Sequence, residues 1–94
     1  MELQDIYSFE ELTNEAERLV IEELGNQLES IADPAVAEDE GLVLDMAAYA
    51  LNHVPPMYRA NLLGRLYADT LRDQYRDEIR AAVTAAIKKI AASG

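Results

Sequence analysis

The chain has 94 residues, half of them hydrophobic but only 6 % aromatic, so it makes one domain with a core of Leu, Ile, Val and Ala. It has no cysteine, which excludes disulfides, thiolate metal sites and cysteine nucleophiles, and its net charge of −10 argues against binding the phosphate backbone of nucleic acids. No apolar run approaches the roughly 18 residues of a membrane span, and MELQDIYSFEEL is too acidic for a signal peptide, so the expected location is cytoplasmic.

The charge is unevenly spread. Residues 1–47 hold 14 of the 18 acidic side chains and, among the bases, only Arg18. Residues 48–94 hold four acids and seven bases. An anion would therefore find its site on the second half. Alternatively the two halves attract each other, within the fold or across a dimer.

In chain order, Ser8-Phe9-Glu10-Glu11 fits a capping box, with Ser8 capping and Glu11 reaching back. Phe9, Leu12, Ala16, Leu19, Val20, Leu24, Leu28 and Ile31 then recur at three and four. That spacing predicts an amphipathic helix of about six turns with an acidic outer face at Glu10, Glu15, Glu22 and Glu29. Gly25 weakens it by about 1 kcal/mol relative to alanine, and Asp33-Pro34 ends it. Residues 34–41, PAVAEDEG, read as a short acidic connector.

From Leu42 to Leu51 the only polar groups are Asp45 and the Tyr49 hydroxyl. A helix apolar on nearly all faces is expected at the centre of a bundle. Pro55 and Pro56 stop it, because proline removes an amide donor and disfavours helical angles in the residue before it. Asn61 can cap a third helix, with Leu71, Tyr75, Ile79, Val83, Ile87 and Ile90 as its apolar positions. Running unbroken from Leu62 to Ala92, it would be about 46 Å long. A compact domain of this size is roughly 32 Å across. Val83, Ile87 and Ile90 would then overhang into water, and a twofold dimer would cover them. Nothing reads as a strand. The expected fold is therefore all-α, a single domain over residues 1–94, with three main helices and a long last one.

Three features invite a functional reading, each beside a structural one. Arg65, Arg72, Arg76 and Arg80 share a helix face, but Asp69, Asp73 and Asp77 each precede an arginine by three residues, the spacing of a solvated salt-bridge ladder. Asp45 is a dipole partner at a helix start, or pairs with Arg18 across the core. The break after Leu51 is the third. There Asn52 can bond the freed carbonyls or the following turn, and His53 compensates the helix dipole or touches a ligand. Tyr58 is a core tyrosine or a stacking face for a purine. Arg59 and Arg65 bracket the start of the third helix, whose free amides attract anions and whose neighbouring guanidinium groups pair with phosphate. Of all local arrangements this one best suits a dianionic ligand.

The stretch DMAAYALNHVPPMY, residues 45–58, resembles the signature of the ComFB family, the late-competence-protein-like domain. The matching residues are Asp45, Ala50, Leu51, Asn52, Pro55, Pro56 and Tyr58. EAERLVIEEL looks like the family's first helix, and IRAAVTAAIKKIAAS is similar to the alanine-rich last helix of cyanobacterial members. The resemblance, over roughly residues 5–93, implies an all-helical homodimer. It also implies, as for the cyanobacterial relatives, a receptor for a cyclic dinucleotide, chiefly cyclic di-GMP with cyclic di-AMP as the other candidate, that signals through a protein partner such as a transcription factor. Two such sites meeting in a dimer would suit a twofold-symmetric ligand. The candidate ligand-binding residues are Asn52, His53 and Tyr58 from the matched stretch, with Arg59 and Arg65 from the reading of the segment that follows it. Some firmicute members carry a zinc-binding cysteine cluster, but the matching positions here are Ala37, Asp39 and Leu42, so no zinc is expected. His53 also departs from the Arg or Lys usual in the family.

Catalysis is not expected, nor is a cofactor. The chain has one histidine, three serines and no glycine-rich phosphate loop, and its carboxylates fall on outward helix faces. A dimeric helical adaptor with no small ligand is the alternative to the receptor.

Overall fold

The structure, a computed structural model, describes residues 2–31, 34–60 and 68–93. Two 3₁₀ turns, Leu3–Asp5 and Phe9–Glu11, lead into strand β1 (Thr13–Asn14) and helix α1 (Glu15–Glu29). Helices α2 (Pro34–Glu38) and α3 (Glu40–Leu51) follow, then strand β2 (Tyr58–Arg59), helix α4 (Ala68–Gln74) and helix α5 (Arg76–Ser93). The architecture is all-helical, with one minimal antiparallel ladder pairing Thr13 with Arg59 and Asn14 with Tyr58.

The core lies where α1, α3 and α5 meet. Leu19, Val20 and Leu24 come from α1, Met46 and Ala50 from α3, and Ile79, Ala82, Val83 and Ala86 from α5. The residues at the junctions of α5 are mostly alanine and valine, so the helices approach closely and small side chains fill the space between them. Val54 and Met57 close one end of this core from the segment between α3 and β2.

Several expectations need correction. The first helix begins at Glu15 rather than at the Ser8 box: Ser8 makes no side-chain capping bond, and Phe9–Glu11 is a single 3₁₀ turn. The effective cap is Asn14, whose Oδ1 accepts from the Ala16 amide at 3.1 Å. Thr13 and Asn14 are extended because they pair with β2, so α1 has only 15 residues, about four turns. The same pairing corrects the expectation of no strands; two residues are too few for a period to show in the sequence. The acidic connector contains a helical turn, α2, with Pro34 at its first position, where a missing amide costs nothing. Asp33, assigned as the end of the first helix, lies outside the described residues.

Helix α3 is not surrounded. Met46 and Ala50 are buried, but Leu44 is 62 % exposed and one apolar face stays uncovered. Asp45 is exposed, and Arg18 bonds to Glu15 and Glu22 instead. The long last helix is interrupted at Tyr75, although the bonds Tyr75 N–H to Leu71 O and Ile79 N–H to Tyr75 O persist at 2.9 Å. No proline or glycine lies between residues 68 and 93 to mark the interruption. Its proposed start, Asn61 and Leu62, lies outside the described residues. Val83 is fully buried and Ile87 and Ile90 pack against the core, so the apolar stripe does not overhang. The overhang assumed a sphere. The described residues instead span 48 × 31 × 18 Å, and α5 packs beside α3 and α1.

Candidate functional site

Helix α3 ends because Asn52 and His53 turn their amides back onto it. The Asn52 amide donates to Ala48 O at 3.1 Å, and the His53 amide to Ala50 O at 2.9 Å. The His53 ring lies over Tyr49, with centroids 4.3 Å apart and planes 19° from parallel, and its Nδ1 is 2.7 Å from Tyr49 O. A protonated Nδ1 donating to that carbonyl suits the negative end of a helix dipole. Both residues are exposed. Asn52 thus tethers the helix end through its backbone, while its carboxamide faces outward.

Pro55 and Pro56 then carry the chain between two buried side chains, Val54 and Met57. Met57 is anchored twice by backbone. Its amide donates to Asn14 Oδ1 at 2.8 Å, and its carbonyl accepts from the Glu15 amide at 2.8 Å. One carboxamide oxygen therefore caps α1 and holds the exit from the proline pair. The next two residues are β2. Tyr58 is 65 % exposed although its backbone is fixed. Arg59 turns its Nε to Glu15 Oε1, and Glu15 Oε2 accepts from Arg18 Nε at 2.9 Å.

Glu15 is 2 % exposed, the one charged side chain in the buried set of the described residues. Burial alone would push its carboxyl up. The two guanidinium groups outweigh that and hold it below the ordinary value for glutamate. Beside this triad runs an open cleft of about 480 Å³ whose lining includes Thr13, Glu17, Arg18, Ile21 and Arg59.

The structure thus brings Asn52 and His53 together at the end of α3, and Tyr58 and Arg59 together on β2. Arg59 is committed to Glu15 rather than open to solvent. Arg65 lies outside the described residues. The site's structural members that sequence reasoning missed are Asn14 and Glu15. Asn14 carried a signal, since an Asn directly before Glu-Ala-Glu is as good a cap as Ser8. The Glu15–Arg59 pair carried none, because its members are 44 residues apart, one in each half of the chain.

The other charged cluster forms two rungs of the expected salt-bridge ladder among the described residues, Asp69–Arg72 and Asp73–Arg76, and no Asp77–Arg80 pair. Arg72 bonds Glu22 at 3.0 Å and Asp69 at 3.5 Å, and Arg76 bonds Asp73 at 2.8 Å. Together with Leu19 and Ile79 these arginines border a groove of about 180 Å³ between α1 and the last two helices. At the positions compared with zinc ligands, Asp39 caps α3, its Oδ1 accepting from the Leu42 amide at 3.1 Å. Among the described residues no group of three His, Cys, Asp or Glu is placed to hold a metal ion, and no helix is long and apolar enough to cross a membrane.

Fold and site together define a small helical protein whose third helix is cut by a proline pair, with the exit strand tied back to the head of α1. The family model described as "Late competence development protein ComFB" matches residues 13–93, and the chain belongs to this family. The match opens at β1 and closes with α5, so it takes in every element of the tie. No curated protein and no solved structure gives a significant match.

Proposed function

We propose that this ComFB-family protein is a non-catalytic cytoplasmic signalling protein that binds a cyclic dinucleotide, cyclic di-GMP first, and passes the signal to a protein partner as a homodimer. The observation that carries the reading is Tyr58. Its backbone is pinned to Asn14 on one side and follows the doubly anchored Met57, yet its ring stands 65 % exposed. A rigidly mounted, exposed aromatic face next to a guanidinium is a low-entropy platform for a purine beside a phosphate. Arg59 would reach such a phosphate only by sharing or leaving Glu15, with Arg18 remaining to neutralise the carboxylate.

A thermal-shift screen with cyclic di-GMP, cyclic di-AMP and GTP tests it. Ligand at 100 times its dissociation constant adds about 2.7 kcal/mol to the folded state, so selective stabilisation by a cyclic dinucleotide supports the receptor. No shift at saturating concentration overturns it. The second reading, a dimeric adaptor without a small ligand, is favoured by the uncovered apolar residues Leu44 and Ile21 on the helical body. It predicts a concentration-dependent dimer and no response to any nucleotide.

A further inference from the structure

Residues 2–12 precede the family match, which begins at Thr13, and none of them is buried. Leu3, Ile6, Tyr7, Phe9 and Leu12 are each between 45 % and 63 % exposed. Among the described residues these are five of the eight exposed large apolar side chains, so this segment holds most of them. Its turns carry local backbone bonds: Asp5 N–H to Glu2 O at 3.1 Å, Ile6 N–H to Leu3 O at 3.0 Å and Leu12 N–H to Phe9 O at 3.0 Å. Both 3₁₀ turns lack a buried residue and have the poorer hydrogen-bond geometry of that helix type, and Tyr7 N–H already makes an α-type bond to Leu3 O at 2.9 Å. As one helix, Leu3, Ile6 and Tyr7 would share a side at i, i+3 and i+4, the anchor spacing of a helix seated in a groove. Between them stand Glu2, Asp5, Glu10 and Glu11, with no base in the segment.

We infer that residues 2–12 are a docking segment for a different protein, one whose receiving surface is an apolar groove rimmed by lysines or arginines. The inference rests on the partner-binding half of the function proposed above and not on its ligand. Charge selects the occupant. Anionic lipid surfaces repel the carboxylates of Glu2, Asp5 and Glu10. A second copy of this chain is a poorer receiver: Leu44 on its α3 neighbours Asp45, and its groove sets Glu22 and Glu23 among Arg72, Arg76 and Arg80, the first two of which already hold Glu22, Asp69 and Asp73. A basic-rimmed groove supplies both the apolar burial and the counter-charge.

The test uses the full chain in its native cells with a photo-crosslinking amino acid at Tyr7, and at the exposed Ala91 of α5 as control. The expected result is a covalent adduct with one non-self protein from position 7 and not from position 91. With that protein purified, Ile6→Ala with Tyr7→Ala weakens binding at least tenfold. Glu2→Lys with Asp5→Lys and Glu10→Lys does the same, and affinity falls as salt rises. The inference is overturned if position 7 yields no adduct, if the adduct is a second copy, or if charge reversal leaves affinity unchanged. Nucleotide binding is read separately on the same variants. A chain that binds no cyclic dinucleotide but docks as described upholds this inference and overturns the ligand reading.

Discussion

The carboxylate of Glu15 at the head of α1 accepts hydrogen bonds from Arg59, 44 residues further along the chain, and from Arg18, one helical turn away. The pair joins the start of the first helix to the strand that leaves the proline break. It does so with a charge that is 2 % exposed on the acid side and 19 % exposed on the Arg59 side. Breaking such a pair costs more than the pair itself contributes, because the remaining buried charge keeps its desolvation penalty. Glu15→Ala leaves two partly wetted guanidinium groups, so the cost falls at the lower end for buried pairs, about 3 kcal/mol. Urea unfolding followed by circular dichroism checks it, with a lowered midpoint and an unchanged slope as the expected outcome.

The same carboxylate gives the protein a pH dependence of known sign. Its folded value lies below the ordinary one, so Glu15 adds stability at pH values above about 4.5, and that stability is lost as pH falls from there through the folded value. Thermal midpoints measured from pH 7 down to pH 3 should drop more steeply for the natural chain than for Glu15→Gln, which has no proton to take up at that position. Parallel curves would show that the triad does not govern acid sensitivity.

Asn14 serves two amides with one oxygen, Ala16 within the helix and Met57 across the chain. Asn14→Ala removes the cap and strands a buried donor, about 1 kcal/mol for the first and 1–3 kcal/mol for the second. Asn14→Ser should restore the cap but fall short of Met57, and so recover only part of the loss. Hydrogen exchange separates the two contributions, since the Met57 amide loses protection in both variants while the first turn of α1 loses it in the alanine variant alone.

How far the sequence foretold this arrangement differs by element. The 3.6-residue recurrence of Leu19, Val20 and Leu24, and of Ile79, Val83 and Ile87, located the core-facing sides of α1 and α5, because burial against a neighbour is what selects that spacing. The Pro55–Pro56 stop was equally plain, since it is a property of the residues themselves. The start of α1 was ambiguous: Ser8 and Asn14 are both good caps, and the choice fell to a two-residue pairing with β2 that leaves no periodic trace. The outward expectation for Glu15 failed because helix periodicity ranks faces by apolarity. It cannot see an arginine arriving from the other half of the chain. For α3 the composition was read correctly and its surroundings were not, since Leu44 remains uncovered.

Tyr58 separates ligand binding from folding more cleanly than Arg59 does. Its side chain is mostly in solvent, so Tyr58→Ala should change stability by no more than about 0.5 kcal/mol, whereas Arg59→Ala also strips Glu15 of a partner. Loss of a base–aromatic stack is worth about 1–3 kcal/mol, or roughly 5- to 150-fold in affinity for a cyclic dinucleotide. Calorimetry with cyclic di-GMP on the Tyr58→Ala and Tyr58→Phe chains distinguishes the roles of ring and hydroxyl. Unchanged affinity in both would remove Tyr58 from the site.

Gly25 offers a gain in stability. It sits inside α1 on an exposed position, with no positive φ, and a Cβ built there meets nothing within 4 Å. Nothing in the folded chain uses its conformational freedom, yet the unfolded chain keeps all of it. Gly25→Ala should therefore stabilise the protein by about 0.5–1 kcal/mol, raising the thermal midpoint by several degrees for a domain of this size. Glu15, Asn14 and Tyr58 lie at the other end of the helix or beyond it, so any ligand affinity should be untouched. A fall in stability, or a change in binding, would mean that the open side of α1 at Gly25 is covered by another protein or a second copy in solution.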